Sequence, residues 1–131
     1  MAKRILTVDD SVSVLQVEKV ILSGAGYDVV QASNGDDALT KLDGSPVHLV
    51  LTDLNMPRLD GIGLIKAVRA KPGYRLTPIV IVTTESKDEK KQQAKTAGAT
   101  AWIVTVPIPL TSRLYSPPAG PESDAGPLTT V

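Results

Sequence analysis

Residues Val47-His48-Leu49-Val50-Leu51-Thr52-Asp53-Leu54-Asn55-Met56-Pro57 decide the fold. A short apolar run ends on a carboxylate, turns at once through Asn-Met-Pro, and is followed by an Asp-Gly pair at Asp60 and Gly61. A run that is apolar on both alternating sets is the mark of a strand buried on two faces, as in a parallel sheet. A carboxylate at the C-terminal end of such a strand points into the crevice where open α/β sheets bind their ligands.

Outward from this stretch, apolar runs alternate with helical segments. Upstream, residues 4–8 read as a strand, and Ser11, just after Asp9-Asp10, caps a helix running to about Ala25. Val14, Val17 and Ile21, with Leu15 and Leu22, recur there at helical spacing, and Gly24 and Gly26 end the helix. Residues 28–32 form a second strand, Asn34 caps a short helix through Leu42, and the turn Asp43-Gly44-Ser45-Pro46 leads into the third strand, 47–52. Downstream, 61–70 suits a helix broken by Lys71-Pro72-Gly73, and Pro78 introduces the β-branched run 79–84. A polar helix over 87–97 has Ala94 and Ala97 as its main apolar positions and stops at Gly98; residues 101–104 make a fifth strand.

Five strands separated by four helices imply right-handed parallel βαβ units. The expected fold is α/β, a doubly wound, flavodoxin-like parallel sheet in the order 2-1-3-4-5. A fifth helix would complete it, and there the pattern fails. Residues 105–131 hold six of the ten prolines, three charged residues and no helical periodicity, so the last helix is expected to be absent or replaced by an irregular Pro-rich tail. The division expected is 1–104 for the folded unit and 105–131 for the tail.

At 131 residues the chain is one domain's worth. Lys plus Arg equal Asp plus Glu at 14 each, so no basic field gathers nucleic acid. Four aromatics and no Phe leave no platform on which bases could stack. With no cysteine there is neither a disulfide framework nor a thiolate metal site, and Met1-Ala2-Lys3-Arg4 runs straight into a strand, too short for a signal or membrane helix. The expectation is a cytoplasmic protein with neither nucleic acid nor membrane as partner.

In the order 2-1-3-4-5 the first and third strands are neighbours, so Asp9, Asp10 and Asp53 converge at one sheet edge. Three carboxylates that close repel one another, and a hard divalent cation, Mg2+ above all, relieves the repulsion while keeping waters for a phosphate to replace. Singly, each Asp also reads as a cap or turn residue; the grouping carries the signal. Phosphoryl transfer needs an in-line nucleophile with cations or donors on the equatorial oxygens, which makes Asp53 an acceptor beside a metal. Thr83 ends the fourth strand next to the third, either as a hydroxyl that senses added charge or as a β-branched strand end.

Val8-Asp9-Asp10-Ser11, Ala32-Ser33-Asn34-Gly35, Leu51 to Pro57, Asp60-Gly61, Pro78 to Thr83 and Ala97-Gly98-Ala99 occur in that order. Over residues 3–104 this sequence strongly resembles the receiver domains of two-component response regulators, most closely the single-domain chemotaxis (CheY-like) type. The resemblance implies that Asp53 accepts a phosphoryl group from a histidine kinase and that Asp9 and Asp10 hold Mg2+ with the backbone carbonyl of Asn55. It implies further that the Thr83 hydroxyl turns toward the phosphoryl group, that Trp102 occupies an aromatic switch position, and that Asn55 and Glu85 flank the site. A downstream protein target would read the changed surface. The chain would be a signalling module and not an enzyme.

Receivers carry a lysine just after strand five, and here Thr105 stands in its place. A short neutral side chain forgoes a charge-assisted hydrogen bond to phosphate, worth roughly 1.5–3 kcal/mol. One event accounts for both this change and the tail. One codon choice for Thr-Val-Pro, ACC-GTT-CCN, contains Pro-Phe in the next frame, the pair that follows the lysine in the family, so a frameshift near codon 105 is expected; a genuine Pro-rich tail used as a linker or ligand is the competing reading. Without the last helix, apolar faces on the first helix and the sheet stay uncovered, which predicts a homodimer or higher oligomer with the tail, over Val106 to Leu110, covering a neighbour or its own core.

Two functions remain open. One is a phosphoryl-accepting module; the other is a degenerate receiver that serves as a phosphorylation-independent interaction unit, with Thr105 separating them. An aspartate-nucleophile phosphatase would need an acid two residues after Asp53, where Asn55 stands. Gly61-Ile62-Gly63 lacks the third glycine of a dinucleotide-binding loop.

Overall fold

The computed structural model describes residues 2–105. Within them run β1 (Arg4–Val8), α1 (Val12–Gly24), β2 (Asp28–Ala32), α2 (Gly35–Lys41), β3 (Leu49–Thr52), α3 (Gly61–Ala70), β4 (Ile79–Thr83), α4 (Asp88–Ala97) and β5 (Ala101–Val104). All strands pair in parallel, in the order β2-β1-β3-β4-β5, as the sequence predicted.

Local chemistry sets the helix ends. Ser11 stays extended and its side chain accepts from the Val14 amide at 3.3 Å; Asn34 does the same for Asp37 at 2.7 Å. Asp36 and Asp37 in the first turn of α2, and Lys41 in its last, complement the helix dipole. Gly98 closes α4 at φ 113°, where a side chain would also strike Arg69 at 2.9 Å.

Regular pairing of β3 begins at Leu49, two residues later than the sequence suggests. Ahead of it the His48 amide donates to the Arg4 carbonyl at 2.8 Å, and the His48 ring nitrogen Nδ1 accepts from the Arg4 amide at 2.9 Å. A side chain thus takes a place in the ladder. β4 ends at Thr83 and leaves Thr84 outside.

The core lies between the sheet and α2, α3 and α4. Leu6, Val50, Leu64, Ile65, Val68, Ile79, Ile81 and Trp102 are all fully buried there. On the opposite face α1 buries only Leu15, while Val14, Val17, Val20 and Ile21 are exposed. Leu49, Leu51, Val80, Val82 and Ile103, which alternate with the core side chains of their strands, are only half-buried. Among the described residues no second helix covers this face. Residues 106–131, on which the expectations of a missing last helix, a covering Pro-rich tail and a frameshift fall, lie outside the described residues. No described helix is long and apolar enough to cross a membrane.

Candidate functional site

Parallel pairing brings the ends of β1, β3, β4 and β5 to one edge. Val8 lies level with Thr52, and Thr83 with Val104, so the residues that follow each strand share a crevice. The cleft encloses about 640 Å³ and is lined by Asp9, Asp10, Asp53, Asn55, Thr83 and Thr105, together with Val14, Val17 and Glu18 of α1. Of the residues expected at or beside the site, Glu85 and Trp102 are not among those that line this cleft.

Asp9, Asp10 and Asp53 each offer a carboxylate oxygen, and these lie within 4.8 Å of one another. Burial pushes the carboxyl of Asp9 above its ordinary value; the Ser11 amide, donating at 2.9 Å, opposes this, and the charges of Asp53 and Asp10 add to it. Asp53 is likewise raised, first by burial and then by Asp10, against the Leu54 amide at 2.8 Å, the Asn55 amide and the Thr83 hydroxyl. Crowded carboxylates that resist ionisation fit a hard, oxygen-seeking divalent cation.

Backbone contacts fix the frame around Asp53. Its amide donates to the Val8 carbonyl at 3.0 Å, its carbonyl accepts from the Thr52 hydroxyl at 2.9 Å, and the Leu54 carbonyl accepts from the Gly61 amide at 2.8 Å. Asp60 caps α3 by accepting from the Gly63 amide at 2.8 Å. The Asp60-Gly61 pair is therefore architectural. A Cβ on Gly61 would sit 2.6 Å from the Asp53 carbonyl oxygen and 2.9 Å from the Leu54 Cα, both backbone atoms that cannot swing aside. Gly61→Ala is expected to cost about 1–3 kcal/mol and to displace Asp53; a urea midpoint that does not move would contradict this.

Thr83 is buried, and its hydroxyl accepts from the Glu85 amide at 3.2 Å, which orients it at the strand end. The Thr105 amide donates to the Thr83 carbonyl at 2.7 Å and so anchors that residue at the rim. Trp102 lies in the core opposite Ile81, fully buried, and its Nε1 donates to the Glu85 carbonyl at 3.1 Å. That hydrogen bond links it to the β4–α4 loop.

One cleft residue was not anticipated from sequence. Glu18 Oε1 is buried and has no hydrogen-bond partner among the described residues. Burial first, then the charges of Asp9 and Asp53, push its carboxyl from 4.5 up to about 7. The signal was present, because Glu18 falls three residues after Leu15 and four before Leu22, an acid on an apolar stripe. With a raised folded-state value, Glu18 is neutral in both states below pH 4.5. Above that the unfolded chain releases its proton first, so stability falls as pH rises to about 7 and is level beyond. Glu18→Leu is expected to raise Tm at pH 8 and to do so less at pH 5. The gain is on the order of 1 kcal/mol once discounted for the part of the residue that water reaches. Equal shifts at both pH values in thermal melts would contradict this.

Residues 5–105 match the family model described as response regulator receiver domain. Chemotaxis protein CheY1 of Helicobacter pylori is 38% identical over 103 residues, covering 77% of this chain and 83% of that protein. The gliding motility regulatory protein of Myxococcus xanthus is 33% identical over 101 residues, 77% of this chain but 13% of that much longer protein. Among solved structures, chemotaxis protein CheY4 of Vibrio cholerae superposes with a TM-score of 0.78 at 39% identity, covering 87% of this chain and 94% of that one. A CheY-like receiver domain protein from Methanospirillum hungatei gives 0.73 at 31% identity, over 87% and 89% of the two chains. Fold, cleft and sequence agree: the chain belongs to the response regulator receiver domain family, with single-domain CheY-type proteins among its relatives.

Proposed function

We propose that this chain accepts a phosphoryl group on Asp53 from a histidine kinase and passes the signal to a protein target through a change in its surface. The convergence of Asp9, Asp10 and Asp53 within 4.8 Å at the sheet edge carries the reading. Asp9, Asp10, Asp53 and the Asn55 carbonyl would hold Mg2+, which would offset charge on the phosphoryl oxygens. An Asp53 carboxylate oxygen attacks phosphorus in line; the new O–P bond forms as the bond to the donor nitrogen breaks, and the donor leaves with that electron pair. Asp53 needs no general base, since a carboxylate is already the nucleophile. Thr83, held at the strand end by Glu85, supplies a hydroxyl for the added oxygens, and a reoriented Thr83–Glu85 contact would be felt at Trp102 through the Glu85 carbonyl.

The functional module is residues 1–104, acting in the cytoplasm as a phosphoacceptor and not as an enzyme turning over a free substrate. Incubation with Mg2+ and a small acyl phosphate should add one phosphoryl mass, and Asp53→Asn should remove the gain; a gain that persists in that variant would defeat the reading.

Thr105 favours a second reading, a degenerate receiver working as a phosphorylation-independent interaction or dimerisation unit. The exposed Val14, Val17 and Ile21 of α1 supply the apolar surface for a homodimer or higher oligomer. Mg2+ binding with no phosphoryl gain at any donor concentration would favour it.

A further inference from the structure

On the sheet face that carries α1, Leu49 and Leu51 of β3, Val80 and Val82 of β4 and Ile103 of β5 are half-buried, with no described helix over them. A cavity opens at each end of this strip, and α1 walls both. At the C-terminal ends of the strands it is the acceptor cleft, where Val14 and Val17 share the lining with Val82. At the opposite edge a cavity of about 690 Å³ is lined mainly by apolar side chains, among them Ile5, Leu22, Leu49 and Pro78, and Leu76 stands 94% exposed at its rim. Strip and cavities make one apolar groove beside α1. Along β4, from Pro78 to Val82, it runs about 13 Å.

Thr105 stands at the cleft end of this groove, its amide fixed to the Thr83 carbonyl at 2.7 Å, and residues 106–131 follow it. Those residues lie outside the described ones, and it is their sequence that names an occupant. Val106, Ile108, Leu110, Leu114 and Tyr115 fall within 106–115, where Arg113 is the one charge; residues 116–131 have only Leu128 and Val131 as large apolar side chains. Pro107 and Pro109 fix their own φ and confine Val106 and Ile108 to extended backbone, which excludes a helix there. Proline also lacks an N–H, so fewer backbone donors need partners on an apolar surface. Ten extended residues reach about 31 Å, more than twice the groove, which leaves length for the reversal after β5. A segment tethered at the groove's mouth has an effective concentration on the order of millimolar, well above a second copy at micromolar concentration.

We propose that residues 106–115 fold back from Thr105 along this groove of the same chain, with Val106, Ile108 and Leu110 against Val14, Val17 and Val82, and with Leu114 and Tyr115 in the far cavity. The strap takes up the α1 surface that the second reading above offers to another copy, and so keeps the chain monomeric. It does not depend on whether Asp53 accepts a phosphoryl group.

The chain has no cysteine, so an introduced pair reports proximity without a background disulfide. Full-length Val17→Cys/Ile108→Cys and Ile21→Cys/Leu110→Cys, whose α1 positions are exposed, would be oxidised at micromolar concentration. The control is Lys66→Cys/Ile108→Cys, whose first position is exposed on α3, across the sheet. Intact mass and non-reducing gels should show disulfides within one chain, formed about tenfold faster or more in the α1 pairs than in the control and at a rate unchanged by dilution. Disulfides between chains that fade on dilution would overturn the proposal in favour of a second copy. Pairs on α1 that form no faster than the control would overturn it outright. The unsubstituted chain gives a second check, free of any folding defect. Arg113 is its last basic residue, and trypsin should cut after it about tenfold more slowly than in a synthetic peptide of residues 106–120. Equal cutting rates would also overturn the strap.

Discussion

Replacing Thr105 with Lys is expected to raise the rate of phosphoryl gain at Asp53 by about 10- to 100-fold. Thr105 follows β5, its amide is fastened to the Thr83 carbonyl at 2.7 Å, and it lines the acceptor cleft. A lysine on that anchored backbone enters a cleft whose described lining residues include no Lys, Arg or His. Its ammonium would make a charge-assisted hydrogen bond to the incoming phosphoryl oxygens, worth roughly 1.5–3 kcal/mol, and each 1.4 kcal/mol is tenfold. Glu18 complicates the gain in a readable way, because its unpartnered carboxyl is an alternative partner for the ammonium. Thr105→Lys combined with Glu18→Leu should therefore exceed Thr105→Lys alone. A Thr105→Lys protein no faster than wild type in a small-phosphodonor assay would mean that the cleft does not present the phosphoryl group to β5.

Asp9→Asn should have effects of opposite sign on two properties. Removing one of three carboxylates is expected to weaken Mg2+ binding about a hundredfold or more, since charge count largely sets affinity for hard cations. In metal-free protein the same change should raise Tm. Burial and repulsion from Asp53 and Asp10 disfavour the ionised Asp9, so its charge costs stability as pH rises through its raised value. The amide oxygen of Asn retains the acceptor for the Ser11 amide. Calorimetric titration with Mg2+ and thermal melts in chelator check the two halves. A fall in metal-free Tm would mean that Asp9 is a structural cap and not a strained ligand.

Most of the fold was legible because its signals are local and agree with one another. Ser11 and Asn34 cap where their side chains suggest, Gly98 closes α4, and the alternation of runs forces a parallel sheet whose order brings Asp9, Asp10 and Asp53 together. What escaped depends on contacts between distant residues. No pattern within 47–52 reveals that the His48 ring nitrogen accepts from the Arg4 amide where a ladder carbonyl would otherwise do so. Trp102 reads as a strand aromatic near the site, yet its core position opposite Ile81, and its link to Glu85, follow from sheet register. Glu18 is the instructive omission. The apolar spacing of α1 drew attention to Val14, Val17 and Ile21, which are exposed, and away from the acid between Leu15 and Leu22 that faces the cleft.

The most direct measurement is the chemical location of the phosphoryl group. After incubation with Mg2+ and a small acyl phosphate, borohydride reduction converts an aspartyl phosphate to homoserine, which peptide mass spectrometry places in the sequence. The account predicts homoserine at position 53 and at no other acid, and its disappearance when Mg2+ is chelated. Homoserine at Asp9 or Asp10, hydroxynorvaline at Glu18, or no reduced acid at any position while Mg2+ still binds, would contradict it.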